Sequence, residues 1–416
     1  MHIRKKILKI WFLMTFIFLS LYIHAQEKPY WLQKYTFVDV SKIEKSHYTI
    51  FTQWLDEQGK TPIEYAVEQC LKHQIVIFGE VHGIKDYVDL FNQLIPEVYH
   101  KAGVRYVVLE VCHIGQNEKI ARLIEAEKYD SDLALEIARS ALRGIWGHKE
   151  YWDIFKTVWK LNKSLSENGE PMKVIGMRPN TDLVLQWLWQ NNKLSDEKLI
   201  KKAEEQAISV KNDDVFMADI IKQKIIETGE KGIVWVGGFH SFTHYMMPWV
   251  NEDMELTYEL SRMGYLLNKE YKEKIFQILC HYTFDSPERT YQKYNKKYTG
   301  GETQIDNLIE TIMEERGNQA VGFDVFVSPF ANLRDKNAYL FHWQQQVRFS
   351  DICRGYIYIK PCNKLSQCTW IEDFVSKEVF RKYKIYYETV YDRKFEDVDE
   401  FNNFLNVKHK YNNRSE

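Results

Sequence analysis

Residues 75–83 read Ile75-Val76-Ile77-Phe78-Gly79-Glu80-Val81-His82-Gly83. Four consecutive apolar residues closed by a glycine suit a strand buried on both faces, which is the habit of parallel sheets. Gly79 and Gly83 allow a tight turn at the strand end. Glu80 and His82 are two residues apart, so in extended geometry they point the same way. The stretch therefore predicts a buried strand that delivers a carboxylate and an imidazole to its C-terminal end.

Similar runs recur along the chain, at residues 106–109, 174–177, 233–236, 274–279, 321–327 and 355–359. Between them, apolar residues fall at helical spacing over 87–100, 117–128, 132–142, 151–165 and 196–228. Pro96 is expected to kink the first of these helices, and Gly103 to end it. Strand–helix alternation implies right-handed crossovers. The expected fold is α/β: a mainly parallel β-sheet flanked by helices on both faces, with helical insertions. One catalytic-type domain is expected over 26–375, with a helical insertion near 181–230. Residues 294–318 read as a polar insertion plus a short helix. Residues 376–416 read as a charged, Tyr-rich helical tail on the surface with a frayed end.

The run at 106–109 leads into Glu110, and that at 233–236 into Gly237-Gly238-Phe239-His240. In a parallel sheet these ends share one edge, where ligands bind. A lone His after a strand is usually an ordinary loop residue, and a lone Glu there usually a cap or ion-pair partner. Their conjunction makes Glu80, His82, Glu110 and His240 the candidate catalytic set. Two chemistries fit. In one, His82, Glu110 and His240 hold a divalent metal (Zn, Mn or Co) and Glu80 is base to a bound water. In the other no metal is needed: His82 is a general base tuned by Glu80 or Glu110, and His240 steadies an oxyanion. Arg178, His244, Lys85 and Tyr87 are candidate substrate-binding residues, with Asn180 and His113 as weaker neighbours. Residues 143–148 are either a lid or a packed connector. A G-x-S-x-G elbow, a P-loop and a dinucleotide fingerprint are all missing.

At the N-terminus, Arg4, Lys5 and Lys6 precede an apolar run over 7–23, interrupted by Lys9 and a few small polar residues, and His24-Ala25-Gln26 begins a polar stretch. This is the plan of a signal peptide over 1–25, cleaved after Ala25, and it predicts export to the periplasm or beyond. An uncleaved segment would be the chain's one route to a membrane. Export permits disulfides; a bridge within Cys353, Cys362 and Cys368 is plausible, whereas Cys112 and Cys280 read as buried thiols. With 27% charged residues and a net charge of −2, nothing drives the chain toward nucleic acid. The expected partner is a small-molecule or peptide substrate.

The segments Gly79-Glu80-Val81-His82-Gly83 and Gly237-Gly238-Phe239-His240 resemble the superfamily joining erythromycin esterase-like proteins, ChaN-like haem-uptake proteins and the TIKI/TraB group. The first is similar to the G-E-x-H opening of the ChaN-like branch, and both fit the G-x-x-H motifs of the TIKI/TraB group. The erythromycin esterase-like motif is one residue longer between Glu and His, a departure here. The resemblance covers about residues 74–244. It implies a strand-end glutamate, here Glu110, working with the histidines. The branches imply different activities: metal-dependent proteolysis, metal-independent ester hydrolysis, or haem or iron binding. The acid/base set favours a hydrolase, with haem uptake as the alternative.

Overall fold

The structure is a computed structural model that describes residues 38–39, 43–141, 146–209, 213–245, 249–250, 256–257, 262–282, 307–334 and 348–411. The expected signal peptide, residues 143–145 of the connector and the first part of the 294–318 insertion lie outside the described residues.

All seven apolar runs are strands of one sheet. They are β1 (Ile75–Glu80), β2 (Tyr106–His113), β3 (Lys173–Arg178), β4 (Gly232–Gly237), β5 (Ile275–Cys280), β6 (Val321–Asp324) and β7 (Gly355–Tyr358). The sheet order is β3-β2-β4-β1-β5-β7-β6. Every adjacent pair is parallel except β7 with β6, where the edge strand runs antiparallel.

The continuous apolar runs feed two cores at once, because successive side chains leave opposite faces of a strand. Val76 and Phe78 of β1, Val107 and Leu109 of β2, and Ile233 and Trp235 of β4 enter one cluster. Ile75 and Ile77, Val108, and Val234 and Val236 enter another. Helices Lys85–Ala102 and Lys149–Ser164 cover the first face. Helices Asp213–Ile221 and Met263–Tyr271 cover the second. Helix Lys85–Ala102 runs through Pro96, where a kink was expected, without being broken. Proline removes one backbone donor, but Leu94, Ile95 and Val98 around it are fully packed. Gly103 ends this helix in the left-handed region, at φ 71°.

The stretch read as one helix over 196–228 divides into Glu197–Ser209, Asp213–Ile221 and a π-turn at Lys222–Ile226. Residues after 376 differ more from expectation. They form two helices, Lys377–Val390 and Val398–Tyr411. Their Phe380, Tyr387, Phe401 and Leu405 are buried in the cluster that holds β1, β2 and β4. The dense charges on their other faces had made them read as surface. The side chain of Asn402 also accepts from the Val375 N–H and donates to the Val375 carbonyl, each at 3.0 Å.

All six cysteines are unbridged, so the plausible link among Cys353, Cys362 and Cys368 is not formed. Cys112 and Cys280 are buried thiols, as read. No helix among the described residues is long and apolar enough to cross a membrane.

Candidate active site

Strand order builds the site. β4 lies between β1 and β2, so their three C-terminal ends are neighbours, with Glu80 level with Gly237. A parallel sheet sends its ends to one edge, and a crevice opens there.

Glu80 is 2% exposed. Its carboxylate accepts from the Tyr151 hydroxyl, at 2.8 and 2.6 Å to the two oxygens, and faces His82 Nδ1 at 2.5 Å. The Gly83 N–H donates to Tyr151 Oη at 3.0 Å. Gly83 has φ +89°, a conformation that only glycine adopts without strain. The Gly79–Gly83 segment thus turns back over its own carboxylate. Burial disfavours the His82 imidazolium, but Glu80, helped by Glu110, outweighs this and lifts the imidazole to about 9. The ring also meets Trp146 edge-on, with centroids 4.8 Å apart.

Glu110 is equally enclosed. It accepts from the Gly237 N–H at 2.7 Å and from Arg178 at 3.2 Å, and His240 Nε2 stands 3.6 Å away. Burial pushes this carboxyl up, yet His240, His82, Arg178 and the Gly237 N–H together hold it down at about 2. Gly237 matters for a steric reason. A Cβ there would stand 3.1 Å from His82 Cε1 and Nε2 and 3.4 Å from Glu110 Oε2. Its absence lets imidazole and carboxylate close on the strand end.

His240 mirrors His82. Its Nδ1 lies 2.7 Å from Asp214 Oδ1, and Asp214 accepts from the Met263 N–H at 2.7 Å and from Arg262 at 3.4 Å. Each imidazole is therefore backed on Nδ1 by a buried carboxylate. Such a partner fixes ring orientation and leaves Nε2 for chemistry.

The sequence-read set Glu80, His82, Glu110 and His240 is thus one constellation, and Arg178 joins it by binding Glu110 and Asp213. Three other candidates stand elsewhere. Tyr87 is buried in the core and donates to the His281 carbonyl at 2.7 Å, so it lines no cleft. Lys85 is held by Asp89 and Glu150 at 2.9 and 3.1 Å, one layer outside. His244 lies 2.9 Å from the Thr243 hydroxyl and near Arg354, and burial lowers its imidazole to about 4. Only a short helix, Gly238–Ser241, follows β4, so His244 does not share the face of His240. His113 and Asn180, with Arg178, line a cavity of about 440 Å³ beside the site.

Sequence reading missed Tyr151 and Asp214. Tyr151 looked like one apolar position of a helix. Asp214 lay in the middle of the charged stretch read as one helix over 196–228, where one more acid did not stand out. The one available signal was the pair Asp213-Asp214 just ahead of the apolar run Val215-Phe216-Met217-Ala218, but it named no partner.

The expected metal trio does not fit. His82, Glu110 and His240 are not among the described side chains whose ligand atoms gather within 4.8 Å; that group is His281, Glu310 and Cys362. Glu110 is also already engaged by a guanidinium on one oxygen and a backbone N–H on the other.

Tyr151→Phe should lower stability by about 1–3 kcal/mol, because a buried carboxylate loses its hydroxyl donor. Thermal melting checks this. A variant that melts with the unmutated chain would show that Tyr151 does not hold Glu80.

These features define a doubly wound α/β fold with a Glu/His site at the C-terminal edge of its sheet. No protein-family model and no curated sequence matches the chain. Among solved structures, a succinoglycan biosynthesis protein aligns over 76% of this chain and 98% of its own, at 12% identity and a TM-score of 0.50. An erythromycin esterase mutant, EreC, in its open conformation aligns over 79% and 97%, at 12% identity and TM-score 0.43. ChaN of Campylobacter jejuni, solved with cofacial haem, aligns over 54% and 87%, at 14% identity and TM-score 0.27. At these identities the likeness is one of fold.

Proposed function

We propose that this chain is an exported hydrolase that activates water against an ester or peptide bond of a small-molecule or peptide substrate. The observation that carries this reading is the pair of imidazoles, each backed by a buried carboxylate, on either side of Glu110. Export rests on the N-terminal pattern. In this reading His240, oriented by Asp214, takes the proton from water at Nε2. The hydroxide oxygen then attacks the carbonyl carbon. His82 carries a proton at neutral pH because of Glu80, so it steadies the developing oxyanion and protonates the leaving group. This reverses the division of labour expected from sequence, in which His82 was the base. Glu110 stays ionised between them, held by Arg178. The cavity beside Arg178 would take the rest of the substrate.

A panel of ester, lactone and peptide substrates, followed across pH, tests the reading. Turnover should fall as pH rises through about 9, where His82 loses its proton. A rate that stays level or climbs through that range would remove His82 as proton donor. No turnover on any member, with a Soret shift on haem titration, would overturn the hydrolase reading in favour of haem uptake.

A further inference from the structure

A second cluster lies at the same sheet edge, on the far side of β1 from β4. His281 directly follows β5, Glu310 belongs to helix Leu308–Glu315, and Cys362 opens the turn that follows β7. One ligand atom from each lies within 4.8 Å of the other two. We propose that His281, Glu310 and Cys362 form a binding site for a single divalent metal ion of borderline softness, zinc foremost. This inference is independent of the hydrolase reading.

The donor set sets the class of ion. Imidazole, carboxylate and thiolate together suit zinc, whereas magnesium and calcium prefer oxygen alone. Ligand atoms on a tetrahedral zinc stand roughly 3.3–3.8 Å apart, from its usual bond lengths. Closing from the observed spread is a side-chain adjustment. A solvent water would complete the fourth position.

The surroundings are those of a supported site. His281 is fully buried, and its Nδ1 lies 2.6 Å from Tyr356 Oη, which aims Nε2 at Glu310 3.0 Å away. Metal-binding histidines commonly have the other ring nitrogen held by an oxygen in this way. Glu310 Oε1 also accepts from the Cys362 N–H at 2.8 Å, so the carboxylate is oriented too. Cys362 is part-exposed, unlike the five buried cysteines, so an ion has access. The ion would tie β5, the helix and the turn after β7 together.

The test is metal analysis of the full chain purified without chelator, then dialysed against zinc. About one equivalent per chain is expected, with affinity falling at least tenfold in Cys362→Ser and Glu310→Gln, while His240→Ala keeps its ion. Cobalt in place of zinc should give a thiolate charge-transfer band that Cys362→Ser abolishes. These part-exposed positions leave the fold intact, whereas His281→Ala would open the core. Less than a tenth of an equivalent in the zinc-dialysed chain would overturn the proposal. So would equal binding in Cys362→Ser, or loss of the ion from His240→Ala alone.

Discussion

His240→Ala is expected to lower turnover by roughly 10²–10⁴-fold, the range for losing a positioned acid or base, while the thermal midpoint barely moves. The fold tolerates the change because no buried charge is stranded. Asp214 keeps the Met263 N–H and Arg262, and Glu110 keeps Arg178 and the Gly237 N–H. His82→Ala should behave alike, since Tyr151 still donates to Glu80. The double variant should be about as slow as either single one, because residues acting as a unit lose their effect together. Initial rates on the substrate panel, beside melting curves, check this. Full turnover in either single variant would end the two-histidine mechanism.

Phe401→Ala should destabilise the chain by about 3–5 kcal/mol, the cost of emptying a fully buried aromatic position. Phe401 has no exposed surface, stacks on Tyr387 at 4.5 Å and meets Phe395 at 4.9 Å. It shares a core cluster with Phe78 and Trp235, which line the sheet under the site. The loss should therefore lower the urea midpoint of one cooperative transition. A change below about 1 kcal/mol, typical of surface substitutions, would mean that residues after 376 form a detachable appendage.

The site was only partly legible beforehand. Glu80, His82, Glu110 and His240 could be named because each sits within a few residues of a buried strand, and parallel pairing sends all strand ends to one edge. Arg178 could be named for the same reason. Tyr87 and Lys85 were misread because proximity in sequence to His82 says nothing about direction. The helix after Gly83 turns Tyr87 inward to His281 and Lys85 outward to Glu150. Tyr151 and Asp214 escaped notice because their partners lie far along the chain, 71 residues away for Tyr151 and Glu80 and 26 for Asp214 and His240.

What the sequence determined by itself was therefore local. Short, mostly apolar runs of four to seven residues wrote the seven strands, because burial on both faces favours apolar side chains at successive positions. Helical periodicity wrote the helices between them, and strand-end polarity named the catalytic candidates. Tertiary structure alone decided which carboxylate backs which imidazole. That depends on β4 inserting between β1 and β2, on helix Lys149–Ser164 crossing over Glu80, and on helix Asp213–Ile221 bringing Asp214 to His240. It also decided that the last two helices belong to the core. The physical reason is the same in each case. A local pattern records how much of a side chain is buried, whereas the partner it is buried against is set by chain order and packing across the whole fold.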